Sequence, residues 1–283
     1  MKKSLFLTIF LCILTLYANA QTKSIFKDAV PRKGRIFGYW GWNWAAYTKS
    51  NIHFSGSGYN FTLDKVVAHD RPTPFDVKEY FDPASFTVPQ YDYRIGYFIS
   101  NQWSISVGFD HMKYVMDQNQ IVNITGSIAG QDPKFNGTYT NQPIQLTDDF
   151  LTFEHTDGLN YINAELSHYR RLSSSKNGKV SIDLVNGLGA GIMIPKTNVK
   201  LFNYDRNDQW HVSGFGLSTN LGLSFNFHGV FLMPQLKGGL ISMPNVITTA
   251  NHRVDKAGHH FFFLEKSILF GFAIPLKSIL QKS

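Results

Sequence analysis

The sequence predicts an all-β chain, an eight-stranded antiparallel up-and-down transmembrane β-barrel. Three observations predict it. Large apolar and small polar residues alternate one for one in segment after segment, as in Leu217, Thr219, Leu221, Leu223, Phe225 and Phe227 set against Ser218, Asn220, Gly222, Ser224 and Asn226. Successive strand side chains point to opposite faces, so such a segment has one apolar and one polar face. Long and short connections alternate strictly along the chain, and the chain opens with an export signal.

The signal occupies residues 1–20. Lys2 and Lys3 give a positive start, Leu5 to Leu16 form an apolar run, and Ala18-Asn19-Ala20 reads as a cleavage site, making residues 21–283 the mature barrel. Cys12, the only cysteine, lies inside the signal, which excludes disulfides, thiolate metal sites and a cysteine nucleophile from the mature chain. No other stretch holds 18 uninterrupted apolar residues, so no transmembrane helix is expected; a barrel needs only half of each strand to face lipid.

Eight strands are read at roughly 36–48, 87–99, 103–118, 157–172, 180–198, 210–227, 230–247 and 259–276. Most exceed the ~9–11 residues with which a tilted strand crosses a bilayer. Ser100-Asn101-Gln102, the Asn177-Gly178 turn and His228-Gly229 are the tight connections. Residues 49–86, 119–156, 199–209 and 248–258 are the long ones, of which 49–86 and 119–156 are large outer loops. Short turns on the periplasmic side and longer loops outside are the habit of outer-membrane barrels, and an even strand count leaves both termini periplasmic.

Parity then assigns the faces. Ile36, Trp40, Trp42 and Trp44 face lipid, as do Tyr91, Tyr93, Ile95, Tyr97 and Ile99, then Trp103, Ile105, Val107 and Phe109, and finally Ile268, Phe270, Phe272 and Ile274. The opposite parity carries Asn43, Asn163, Ser167, Asn220 and Gln235, with the charged residues Asp92, Arg94, Asp110, Glu165, Asp183, Lys237 and Glu265. Charges facing lipid would be costly. Eight strands leave an interior just wide enough for side chains to fill, so these seven are expected to pair in a polar plug, with a narrow channel as the alternative.

The formal charge of +7 falls to +5 without Lys2 and Lys3. The basic excess lies at the turn end, in Lys23, Lys27, Arg32, Lys33, Arg35, Arg170, Arg171, Lys176 and Lys179, whereas the second long loop carries Asp132, Asp148, Asp149 and Glu154 against Lys134. A membrane address argues against nucleic acid as the partner of this basic excess; solubility and retention of orientation are its expected roles, with lipid headgroups or a periplasmic partner as the alternatives.

The aromatic run Gly38-Tyr39-Trp40-Gly41-Trp42-Asn43-Trp44, the stretch Ala68-His69-Asp70-Arg71-Pro72 and the stretch from Glu154 to Tyr161 are similar to those of outer-membrane barrels of Bacteroidetes. The whole mature chain resembles the small eight-stranded outer-membrane β-barrel proteins of Gram-negative bacteria. The resemblance implies an outer-membrane location, contact with lipid and lipopolysaccharide, and a structural or interaction role, including that of an accessory subunit beside a neighbouring outer-membrane protein. It implies no cofactor. The chain lacks the terminal aromatic residue of many barrels.

Candidate chemistry is sparse. His211-Val212-Ser213 has the His-x-Ser spacing that lets imidazole take a hydroxyl proton on one strand face, and it looks like the pair of lipid A deacylases; His211 and Ser213 are the candidate catalytic residues of an acyl-ester hydrolase at the outer leaflet. Asp205 or Asp208 would complete such a triad. His252, His259 and His260 cluster near the last long connection, but adjacent His259 and His260 point to opposite faces, and no metal site is expected. Gly187, Gly189 and Gly191 alternate so that facing interior side chains fit.

Overall fold

The computed structural model describes residues 30–81, 89–249 and 254–276; the expected signal at residues 1–20 lies outside them. Eight long strands form a ring: β1 (Arg35–Tyr47), β5 (Tyr91–Phe98), β6 (Trp103–Met116), β9 (Leu151–Ser174), β10 (Val180–Pro195), β13 (Gly214–Phe227), β14 (Val230–Ile247) and β15 (Lys256–Pro275). Each pairs antiparallel with the next, and β15 returns to β1 with Arg35 opposite Pro275 and Tyr47 opposite Phe263. These are the eight strands expected from the alternation. The sixth starts at Gly214, not at residue 210, and the fourth extends upward to Leu151.

The tight connections follow from local chemistry. Phe227 pairs with Val230, leaving His228 and Gly229 as a two-residue turn with φ of 51° and 93°. Positive φ at both central positions is the twist-matched hairpin geometry, and Gly229 adopts it without steric cost.

The outer connections depart from the expectation of loops. Residues 49–86 hold a hairpin of β2 (Ser50–Gly56) and β3 (Tyr59–Val66), the two-residue strand β4 (Ala68–His69) and one short helix, α1 (Val77–Phe81). Residues 119–156 hold a second hairpin, β7 (Ile121–Ile128) and β8 (Gly137–Gln145). β2 pairs with the upper end of β15, β3 pairs with β2 and β7, and β8 ends the sheet as a strand with one neighbour. A third small hairpin, β11 (Asn198–Leu201) with β12 (Tyr204–Asn207), pairs with the top of β9. The same period-two signal is present in these short runs, in Ile52 and Phe54, in Tyr59, Phe61 and Leu63, and in Val122 and Ile124, all buried.

Inward side chains change character along each strand. On β6, Ser104, Ser106, Gly108 and Asp110 give way to Met112, Tyr114 and Met116. On β15, read from the turn end, Leu269 is followed by Ser267 and Glu265, then by Phe263, Phe261, His259 and Ala257. The interior is therefore layered. Near the turns Phe37, Tyr39, Phe98, Tyr169, Val185, Met233 and Leu269 form a small apolar cluster. A charged layer lies above it. Beyond that the ring opens into a large apolar core built from strand tops and hairpins, in which Ile52, Phe54, Phe61, Leu63, Phe150, Phe153, Leu201 and Phe202 are at most 1% exposed. The outward face of the ring is the reverse: Ile95, Val107, Leu188, Leu217, Leu221, Leu236 and Phe270 are exposed. No helix among the described residues is long and apolar enough to cross a membrane.

Phe61 stacks on Phe54 at 5.3 Å between ring centroids and touches Phe150 and Phe202. Phe61→Ala is expected to cost about 3–5 kcal/mol of outer-core stability. Limited proteolysis should then cut within 50–66 and 119–150 while the ring keeps its heat-modifiable migration in detergent; hairpins as resistant as in the parent would refute the shared core.

Candidate functional site

The strongest concentration of chemistry among the described residues is the charged layer. Cross-strand register builds it. Asp92 on β5 lies opposite Asp110 on β6, Arg94 lies opposite Gly108, which lies opposite Asn163 on β9, and Lys237 on β14 lies opposite Glu265 on β15. Gly108 is what lets Arg94 lie flat: a Cβ there would sit 2.6 Å from the guanidinium carbon. Gly187 and Gly189 do the same for Asn220, Ser167 and Glu165, as their alternation suggests.

Lys237 sits at the centre, 1% exposed, with Nζ 2.6 Å from Asp110 Oδ2 and 3.1 Å from Glu165 Oε1. Arg94 Nη2 lies 3.0 Å from Glu165 Oε1 and donates to Asn163 Oδ1 at 2.6 Å. Asn163 donates to Asp110 Oδ2 at 2.9 Å, and Asn220 to Glu165 Oε2 at 3.0 Å. Asp92 accepts from Asn43 at 2.6 Å and from Ser267 at 2.8 Å, and Ser267 Oγ also lies 3.1 Å from Glu265 Oε1. Four of the seven expected plug residues, Arg94, Asp110, Glu165 and Lys237, thus meet in one network, and Asp92 and Glu265 share Ser267 beside it, opposite Asp110 and Lys237 in register. The seventh, Asp183, is elsewhere: near the turn end it pairs with Arg32 and Arg171, each at 2.5 Å, and accepts from Asn226 at 2.9 Å. Sequence reading missed Arg32 as its partner because Arg32 precedes the first strand.

His211 and Ser213 do not form the expected pair. The sixth strand begins at Gly214, so the strand rule that puts residues two apart on one face does not reach them. Ser213 is buried, 1% exposed, and its Oγ lies 3.5 Å from the Met193 carbonyl. His211 turns into its own loop: Nδ1 is 2.7 Å from Asp208 Oδ2 and 3.0 Å from the Gln209 carbonyl, and Nε2 is 2.9 Å from the Asn245 carbonyl. Partial burial opposes the cation, but Asp208 and the two carbonyls outweigh it and raise the imidazole from 6.5 to about 9. A protonated ring donating from both nitrogens is a clasp between 208–211 and the end of β14, not a base poised to take a proton from Ser213.

Of the three clustered histidines, His252 lies outside the described residues, His260 is exposed and His259 is buried. The partner of His259 is His155, 104 positions away, with Nε2 to Nε2 at 3.3 Å; His155 Nδ1 reaches Thr197 Oγ1 at 2.9 Å. Tyr114, Phe153 and Phe261 surround this pair. No group of three or more metal-ligating side chains occurs among the described residues.

No protein-family model matches the chain, and no curated protein does. Among solved structures it is similar to the outer membrane protein OprG from Pseudomonas aeruginosa, at 12% identity over 88% of this chain and 99% of that one, with a TM-score of 0.41. It is similar to the outer membrane protein AlkL in lipid bilayers, at 10% identity over 89% and 95%, with a TM-score of 0.37. It is also similar to Neisserial surface protein A, at 12% identity over 85% and 97%, with a TM-score of 0.33.

Two outcomes test the site. Four carboxylates face two cations in the charged layer, so removing a cation deepens the imbalance and removing a carboxylate relieves it. Lys237→Met is expected to cost about 3–5 kcal/mol, the penalty for stripping a buried charge of its partner, and Asp92→Asn much less, as read by urea unfolding in detergent or vesicles. Equal costs would contradict this network. The His211 clasp is fully present below pH 6.5, the ordinary value, and is lost as pH rises through about 9. An NMR titration of the ring should show a midpoint near 9; a midpoint near 6.5 would remove the clasp.

Proposed function

We propose that the chain is an outer-membrane barrel that is sealed and acts through its surfaces, as a structural or interaction protein, a role that includes that of an accessory subunit beside another outer-membrane protein. One observation carries this reading: the interior is filled in three successive layers, apolar, charged and apolar, while the apolar side chains left exposed circle the outside of the ring. An apolar outside with a polar middle layer inside suits lipid and not water. The expected export signal at 1–20 and the alternation of short turns with long outer segments support the same address, with both termini periplasmic.

The recognition surface in this reading is the outer storey. Rigid scaffolds display recognition on what they carry beyond themselves. β8 is exposed along most of its length and presents a sheet edge to the outside. Its Thr138, Thr140, Asn141 and Gln142 give polar contacts, and Pro143 limits indiscriminate strand pairing. Lipid and lipopolysaccharide surround the ring in this reading, and no chemistry is assigned to His211 and Ser213.

Planar-bilayer recording tests the sealed interior. The purified chain should incorporate into vesicles and remain electrically silent; steady conductance from the parent protein would overturn the reading in favour of a channel. Lipid A spectra from cells with and without the protein should be identical, and a lost acyl chain in its presence would restore the hydrolase.

A further inference from the structure

A cavity of about 260 Å³ opens at the turn end of the ring, on the opposite side of the small apolar cluster from the charged layer. Arg32, Arg35, Arg171 and Lys179 line it, and no acidic side chain does among the described residues. Asp183 offsets these charges by pairing with Arg32 and Arg171. That leaves four cations on the cavity against one carboxylate, which meets two of them. Arg35 is held in place by Nη2, which donates to the Ala273 carbonyl at 2.7 Å. Its Nε is buried and has no hydrogen-bond partner among the described residues. Like charges converge on a space with an unmatched donor, and a buried donor without an acceptor is costly.

The wall of the same cavity is apolar, formed by Phe37, Phe98 and Phe231. Arg32 also lies over the Tyr169 ring at 5.6 Å, which holds its guanidinium plane beside an aromatic surface. A bare inorganic anion would satisfy the cations and leave this wall unused. An uncharged apolar molecule would do the opposite. The volume lies just under the usual range for small-molecule sites, about 300–1,000 Å³.

We propose that this cavity is a binding site for an oxyanion, a carboxylate or phosphate monoester, carried on a compact apolar body. The oxyanion meets Arg35 and the rim cations through charge-assisted hydrogen bonds, and the body packs on the phenylalanine wall. This site is independent of the sealed interior, because it lies outside the charged layer.

The test uses the purified mature chain in a non-ionic detergent, with phenyl phosphate as probe and inorganic phosphate as comparison, followed by calorimetry and by NMR of the arginine side chains. Phenyl phosphate should bind saturably and about tenfold tighter than inorganic phosphate, and Arg35→Gln should weaken it by about tenfold, the loss of one charge-assisted hydrogen bond. Lys179→Gln, at the exposed rim, should weaken it about threefold, and serves if Arg35→Gln does not fold. Lys176→Gln, in the same turn region but outside the cavity, should leave it unchanged. Competition by phosphatidic acid, a lipid phosphate monoester, added to the micelles assigns the oxyanion to a lipid headgroup, and its failure to compete assigns it to a soluble ligand. Absence of saturable binding, equal affinity for inorganic phosphate, or affinity indifferent to both Arg35→Gln and Lys179→Gln would overturn the proposal.

Discussion

Closure of the ring is the constraint from which the rest of the structure follows. Once β15 pairs with β1, every inward side chain of eight strands shares one narrow space, and that space must be filled without leaving charges unpaired. The chain meets this by varying side-chain size across the register. Arg94, the bulkier cation of the charged layer, lies opposite Gly108 on β6 and opposite Tyr39 on β1. Glu165 lies between Ser106 and Gly189. Arg94 and Glu165 each have a small residue on at least one neighbouring strand, so packing and charge pairing are solved together.

The second consequence is a change of solvent logic along single strands. At the charged layer the polar side chains are inside and the apolar ones outside. At the strand tops the inside becomes apolar, because the hairpins of residues 49–66 and 119–146 cover it. On β6 and β15 the inward parity holds through this change; what changes is the residue type placed on the inward face. β6 makes the change between Asp110 and Met112, and β15 between Glu265 and Phe263. Such a boundary fits a chain that leaves lipid and enters water partway up a strand.

Most of the ring was legible in the sequence, because period-two alternation over ten or more residues depends only on backbone geometry. The third strand, read as 103–118, is Trp103–Met116, and the seventh, read as 230–247, is Val230–Ile247. Membership of the interior was legible for the same reason. Partnership was not. Asp92 finds Asn43 and Ser267, and Asp183 finds Arg32, through neighbours distant in sequence. The His155–His259 contact spans 104 positions, and no local pattern encodes it. The outer hairpins were overlooked because their alternating runs are short, though Ile52, Phe54, Phe61 and Leu63 carry the signal. His211 was misplaced by carrying strand parity into residues that precede the strand; the Asp208-x-x-His211 spacing is the cue that a loop clasp was available.

The strand β9 runs unbroken for 24 residues, so it belongs to both storeys. β6 and β15 likewise run through both storeys, the β6–β9 ladder resuming above a bulge between Met112 and Tyr114. A load applied to the outer hairpins would therefore travel down the strands as shear, shared by many hydrogen bonds at once, instead of peeling them one by one. The tip of this molecule is carried on the same strands as its base.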